Sequence, residues 1–276
     1  QTDSAKQADL EAIFQNAMAQ HGAGQLDQAI ASYDQILTAL PQQPDALHLK
    51  GVAMAQMGDL GSGIELLQQA AAAKNDSVDI HNNLGNLLWQ AGRLEEADIV
   101  LRRAIDILPT HAAAHNNLGG VLEQAGRQEE ALASYRAAAN LEPNNSAIHG
   151  NIGIVLEQLG RLEESAVSLR HAVELDPQSP EAHNNLGNVM KGLGNLEDAA
   201  TQLRQAIALK PDYANAHQNL GSVLIELLEL DEAVATLERA VTLEPDHAQA
   251  LVNLSAGLNL LERLEESEKF ARRAVE

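Results

Sequence analysis

Two columns of side chains with binding chemistry repeat at a fixed interval along this 276-residue chain. Asn83, Asn117, Asn151, Asn185, Asn219 and Asn253 recur every 34 residues, and Asn82, Asn86, Asn116, Asn184 and Asn188 cluster around them. An asparagine amide carries two donors and one acceptor oxygen, so a row of amides can pair with a peptide backbone whatever its side chains. Asparagine costs roughly 0.5 kcal/mol relative to alanine inside a helix. The column falls mid-way along a helical pattern, far from any cap, so local capping does not explain it. Two explanations stand: contact with a ligand, or bridges between neighbouring helices. The second column is His81, His115, His149, His183 and His217. A shared metal ion would need ligands within about 2.1 Å of one centre, whereas successive histidines stand a repeat apart, on the order of 10 Å by helix-packing distances. The histidines therefore read as structural, and protonating them is expected to loosen the array.

Nothing else in the chain assembles a reaction. There is no glycine-rich phosphate loop, nucleophile elbow or zinc-protease motif. The chain has no cysteine, which excludes disulfides, thiolate nucleophiles and Cys-based metal sites. We therefore expect no catalytic residue, metal or cofactor in this segment. Acidic residues number 39 against 18 basic ones, a net charge of −21 that repels nucleic acid and anionic membranes. Neutral or basic protein segments are the expected partners. No apolar stretch is long enough for a membrane span. The expected compartment is the cytoplasm, with export left open because the chain starts at Gln1 rather than methionine.

The elements that position these columns follow from the same period. Pro109, Pro143, Pro177, Pro211 and Pro245 keep the 34-residue beat, as do Gly51, Gly85, Gly119, Gly153, Gly187 and Gly221. A second glycine column runs through Gly24, Gly58, Gly92, Gly126, Gly160 and Gly194, and an alanine column from Ala70 to Ala274. Each period reads as two helices. In one, Ile80, Leu84, Leu87, Leu88 and Ala91 form an apolar face that Gly92 ends. In the next, Leu94, Ala97, Leu101, Ala104 and Leu108 alternate by three and four until Pro109 stops the ladder. Acidic pairs such as Glu95–Glu96 and Glu129–Glu130 open the second helices, where the dipole favours them.

These residues resemble the tetratricopeptide family, whose signature Leu84-Gly85, Gly92, Ala97, Leu101, Ala104 and Pro109 fit. The resemblance implies an all-α, right-handed superhelical solenoid of eight repeats, 10–43, 44–77, 78–111, 112–145, 146–179, 180–213, 214–247 and a partial 248–276. It implies a concave groove lined by first helices and an outer wall of second helices. The peptide-binding groove would carry the asparagines with Trp89, Gln90, Glu123, Gln124, Glu157, Gln158 and Lys191. Trp89 is either a ligand anchor or a packing residue. The basic clamp by which some family members grip a chaperone's terminal carboxylate has no match. Leu228 and Glu262 replace the interhelix glycine, so a tighter or differently closed loop is expected there.

The asparagine column resembles the ladder of the O-linked N-acetylglucosamine transferase repeat domain. Tyr33-Asp34-Gln35-Ile36-Leu37 and Pro44-Asp45-Ala46-Leu47-His48-Leu49-Lys50-Gly51 resemble the opening of bacterial SPINDLY-type repeat proteins. The resulting expectation is a protein-interaction scaffold. It would be the repeat arm of a larger protein, as Glu276 falls inside a second helix without a cap. Two alternatives are the substrate-selecting arm of such a glycosyltransferase and a scaffold that self-assembles through uncapped terminal repeats.

Overall fold

The computed structural model of the chain describes residues 2–274, with side chains from residue 7 onward. Gln1, Val275 and Glu276 lie outside the described residues, and with them the expectation attached to Glu276. The described residues form sixteen helices and no strand, an all-α repeat solenoid of consecutive helix pairs. They fall into two compact units, Gln1–Glu142 and Pro143–Glu276.

The first unit holds α1 (Thr2–Gly22), α2 (Leu26–Ala39), α3 (Pro44–Gln56), α4 (Leu60–Ala73), α5 (Val78–Gln90), α6 (Leu94–Ile107), α7 (Ala112–Gln124) and α8 (Gln128–Leu141). The second holds α9 (Ser146–Gln158), α10 (Leu162–Leu175), α11 (Pro180–Gly192), α12 (Leu196–Leu209), α13 (Ala214–Glu226), α14 (Leu230–Leu243), α15 (Ala248–Leu260) and α16 (Leu264–Arg273). The opening helix begins at Thr2, upstream of Leu10 where the repeat pattern starts.

Each pair closes on a backbone motif. After α5, Gly92 takes φ +73°, its N–H donates to the Trp89 carbonyl, and the Arg93 N–H donates to the Leu88 carbonyl. These two bonds satisfy carbonyls that the helix end would leave orphaned. The loops at Leu228 and Glu262 close in the same way, which corrects the expectation of a different geometry. Both residues take positive φ, 63° and 60°, and both loops make the same two bonds. The bonds need only the backbone, so a non-glycine residue can make them at the cost of strain. Left-handed geometry costs an ordinary residue roughly 1–2 kcal/mol, against up to about 1 kcal/mol for glycine's extra freedom when unfolded. Leu228 is 74% exposed and contributes little packing. Leu228→Gly is therefore expected to stabilise the chain by about 0.5 kcal/mol in thermal unfolding. A lower melting temperature would refute this.

Packing within a pair depends on the first glycine column. A Cβ added at Gly85, Gly153, Gly187 or Gly221 would lie 2.5, 2.5, 2.6 or 2.4 Å from Cγ of Leu101, Leu169, Leu203 or Leu237. Each of those leucines is fully buried. The second helix thus seats its central leucine directly on the first helix's backbone. Between pairs, the contacts are one-sided. First helices touch their successors, α1 to α3 to α5 to α7 in one unit and α9 to α11 to α13 to α15 in the other. Among the described residues no two second helices come into comparable contact. First helices therefore lie on the inner, tighter side of each unit.

Candidate functional site

On the inner side of each unit two lanes of side chains run from one first helix to the next within that unit. The first lane is built by the asparagines. Asn117 Nδ2 donates to Asn82 Oδ1 at 2.9 Å, and Asn219 Nδ2 donates to Asn184 Oδ1 at 3.0 Å. Asn83 Nδ2 donates to His48 Nε2 at 2.8 Å. In every case the partner lies 35 residues earlier, on the preceding first helix. These amides bridge neighbouring helices, and each bridge consumes only part of an amide's bonding capacity. Asn184 is 7% exposed and is committed at both ends, since its Nδ2 also donates to Asn185 Oδ1 at 3.2 Å. Asn116 and Asn151 are engaged as well.

The lane is imperfect at two places. Asn185 finds Gly150 in the slot where Asn82 and Asn184 serve their successors. For Asn253 the position 35 residues earlier is the longer Gln218; its Oδ1 accepts from Gln249 Nε2 at 3.0 Å, but its buried Nδ2 has no partner among the described residues. An unmatched buried donor costs about 1–3 kcal/mol. Gln218→Asn should supply the missing acceptor and raise stability by about 1 kcal/mol in denaturant unfolding. A destabilised variant would contradict the rung geometry.

The second lane joins Trp89 and Glu123 to their neighbours in the first unit, and Glu157 and Lys191 to theirs in the second. The Trp89 ring lies against Gly120, where an added Cβ would meet Cη2 at 2.3 Å, and Trp89 Nε1 donates to Gln124 Oε1 at 2.6 Å. Asn188 Nδ2 donates to Glu157 Oε1. Lys191 Nζ reaches forward to Ser222 Oγ at 2.6 Å and Glu226 Oε1 at 3.3 Å. Burial raises the Glu157 carboxyl above its ordinary range, and the Asn188 amide offsets this only in part. Beneath the lane the buried Tyr135 hydroxyl donates to Glu123 Oε2 at 3.0 Å, and burial raises that phenol's pKa. Asn86 holds only a long contact, 3.5 Å, from Gln90 Nε2.

The histidine column pins the loops. His115, His149, His183 and His217 each donate Nε2–H to the carbonyl of the proline six residues earlier, at 2.8–3.2 Å. His81 has Asn75 in place of that proline and instead donates Nδ1–H to Ser77 O at 2.8 Å. A ring that donates keeps its bond when protonated, so these bonds give the column no reason to loosen in acid. His48, on the inner side, is a ring that accepts rather than donates. Its Nε2 must be unprotonated to accept from Asn83, and burial lowers its pKa despite Asp79 and Asp45 nearby. A depressed folded pKa means stability that is present above the unfolded value, about 6.5, and lost as pH falls through the folded one. Melting temperature should therefore drop between pH 7.5 and 5.0, and drop less in His48→Asn, which keeps an acceptor that cannot titrate. Equal drops would refute this assignment.

Among the described residues no group of three or more His, Asp or Glu could hold a metal ion, and no helix is long and apolar enough to cross a membrane. Comparison with known proteins agrees with this architecture. Residues 1–219 match the family profile described as the cilia and flagella-associated protein 70 C-terminal domain, a tetratricopeptide profile. Residues 191–258 match a tetratricopeptide repeat profile. The chain belongs to the tetratricopeptide-repeat family.

No curated protein matches the sequence. Among solved structures, YrrB, described as a TPR protein with an unusual peptide-binding site, is similar at 25% identity and TM-score 0.57, covering 68% of this chain and 97% of YrrB. MamA is similar at 25% identity and TM-score 0.52, over 57% of this chain and 92% of MamA. PilF of Pseudomonas aeruginosa shares the fold at 22% identity and TM-score 0.63, over 70% of this chain and 88% of PilF.

Within the tetratricopeptide frame, the residues that sequence reading missed are the receivers. His48, Gly120, Gly150 and Ser222 occupy inner-side slots but belong to no uniform column. The signal that could have found them is a pair of offsets flanking the period, 35 residues for His48 and Gly150 and 31 for Gly120 and Ser222.

Proposed function

We propose that this chain is a protein-interaction scaffold whose inner first-helix faces bind extended peptide segments, neutral or basic in character. The observation that supports this reading is the gathering of amide, aromatic and acidic side chains on the side where first helices touch. Asn86, Gln90, Asn185 and Glu157 keep polar atoms beyond those used in their printed bonds, and Trp89 adds an aromatic surface. Such groups suit a peptide backbone, which presents a donor and an acceptor at each residue. The resemblance to an asparagine ladder points the same way, as does the peptide-binding site for which YrrB is described. At about 1 kcal/mol net per hydrogen bond, and after the ordering cost of the peptide, the affinity should be on the order of micromolar.

A selection from displayed random twelve-residue peptides tests this. It should enrich binders on the wild-type chain, and the binders should be lost from an Asn86→Ala, Gln90→Ala, Asn185→Ala variant of equal helicity. Those three side chains hold no bridge between first helices, so their loss leaves the array intact. Failure to enrich, or equal binding by both proteins, would overturn the proposal.

A further inference from the structure

Gly150 is a helix-interior glycine without a packing reason. Glycine costs roughly 1 kcal/mol relative to alanine at such a site. At Gly153, one turn on, the buried Leu169 forbids a side chain, but a Cβ added at Gly150 would meet nothing within 4 Å. Gly150 also occupies the receiving slot of the amide lane. Asn117 and Asn219 donate to the side chain 35 residues earlier, and for Asn185 that position is Gly150, which has none. Asn185 accepts from Asn184, and among the described residues nothing accepts from its Nδ2. The lane therefore has an open rung: a free donor beside an empty space on the inner side of the second unit.

Seven residues along α9 stands Glu157. Its carboxylate is partly buried and has an amide, Asn188, as its hydrogen-bond partner. The nearby cation Lys191 is turned forward to Ser222 and Glu226. Among the described residues no cation pairs with Glu157, so burial leaves its charge uncompensated. A cationic side chain brought by a ligand would relieve that.

We propose that the open rung at Gly150 is a peptide docking point. A backbone carbonyl of an extended segment accepts from Asn185 Nδ2, and a lysine or arginine of the same segment pairs with Glu157. Seven helical residues span about 10.5 Å, and an extended chain advances about 3.3 Å per residue, so the cation lies about three residues from the docked carbonyl. This rests on the reading of the inner face as a peptide site and names the residue class it selects.

The test uses three degenerate heptapeptide pools with lysine, norleucine or glutamate fixed at the centre, and measures retention on the immobilised chain by mass spectrometry. The wild type should retain the lysine pool at least fivefold over the norleucine pool and reject the glutamate pool. Gly150→Asn should close the rung as Asn82 and Asn184 do, raise the melting temperature, and cut lysine-pool retention at least tenfold. Glu157→Gln keeps an acceptor for Asn188 and should abolish the preference for lysine over norleucine. If Gly150→Asn retains the lysine pool as well as the wild type, the docking point is wrong. In that event, loss of retention in an Asn86→Ala, Gln90→Ala variant would leave the inner-face reading standing. Retention of no pool, or retention unmoved by every inner-face variant, would overturn both.

Discussion

Gly187→Ala is expected to destabilise the chain by roughly 1–3 kcal/mol, although alanine is the better helix former. The new methyl would sit 2.6 Å from Cγ of Leu203 and 3.2 Å from the Ala199 carbonyl oxygen. Leu203 is fully buried and the carbonyl belongs to a helix, so neither can step aside. Leu203→Ala alone should cost about 2–5 kcal/mol through the cavity it leaves. The double variant should cost less than the sum, because the alanine methyl enters the space the leucine vacates. Denaturant unfolding of the four proteins measures this coupling. Strict additivity would mean that helix and leucine do not contact as described.

Gly120→Ala carries the second large effect and reads out through a single chromophore. Trp89 is the chain's one tryptophan, and the added Cβ would fall 2.3–3.0 Å from three of its ring carbons. The ring must lift, break its bond to Gln124 and enter water. Tryptophan emission should move to longer wavelength, with a stability loss of roughly 1–3 kcal/mol. Unchanged emission would show that the ring does not rest on α7. This packing bears on an ambiguity of the sequence, where Trp89 reads equally as anchor or filler. One ring face is spent on Gly120, and only the remainder is open to a ligand.

The period, the helix pairs and their turns are legible in the sequence because they follow from local chemistry. Gly92 and Pro109 end helices by their own backbone preferences, and the Leu84–Leu101 pattern shows which faces are apolar. Leu228 and Glu262 mislead because the loop is held by main-chain bonds that leave no side-chain signature. The candidate site is only half legible. The asparagine column stands out by composition, yet its partners lie at an offset of 35 residues that follows from how successive first helices pack. Trp89 on Gly120 and Tyr135 reaching Glu123 pair unlike residues at slots filled differently in other repeats, so no column announces them. The histidine column shows the converse: its regularity is plain, but its use as a donor to loop carbonyls appears only in three dimensions.

The most direct test of the central claim places a photo-crosslinking benzoylphenylalanine at Gln90 or Gln218 on the inner faces, and at Ile99 or Val167, which are 70% and 64% exposed on second helices. Each variant is irradiated with the lysine-centred heptapeptide pool. Peptide adducts should form at the two inner positions and fall to background at the two outer ones. Equal labelling of both sides, or labelling confined to Ile99 and Val167, would contradict an inner-face peptide site.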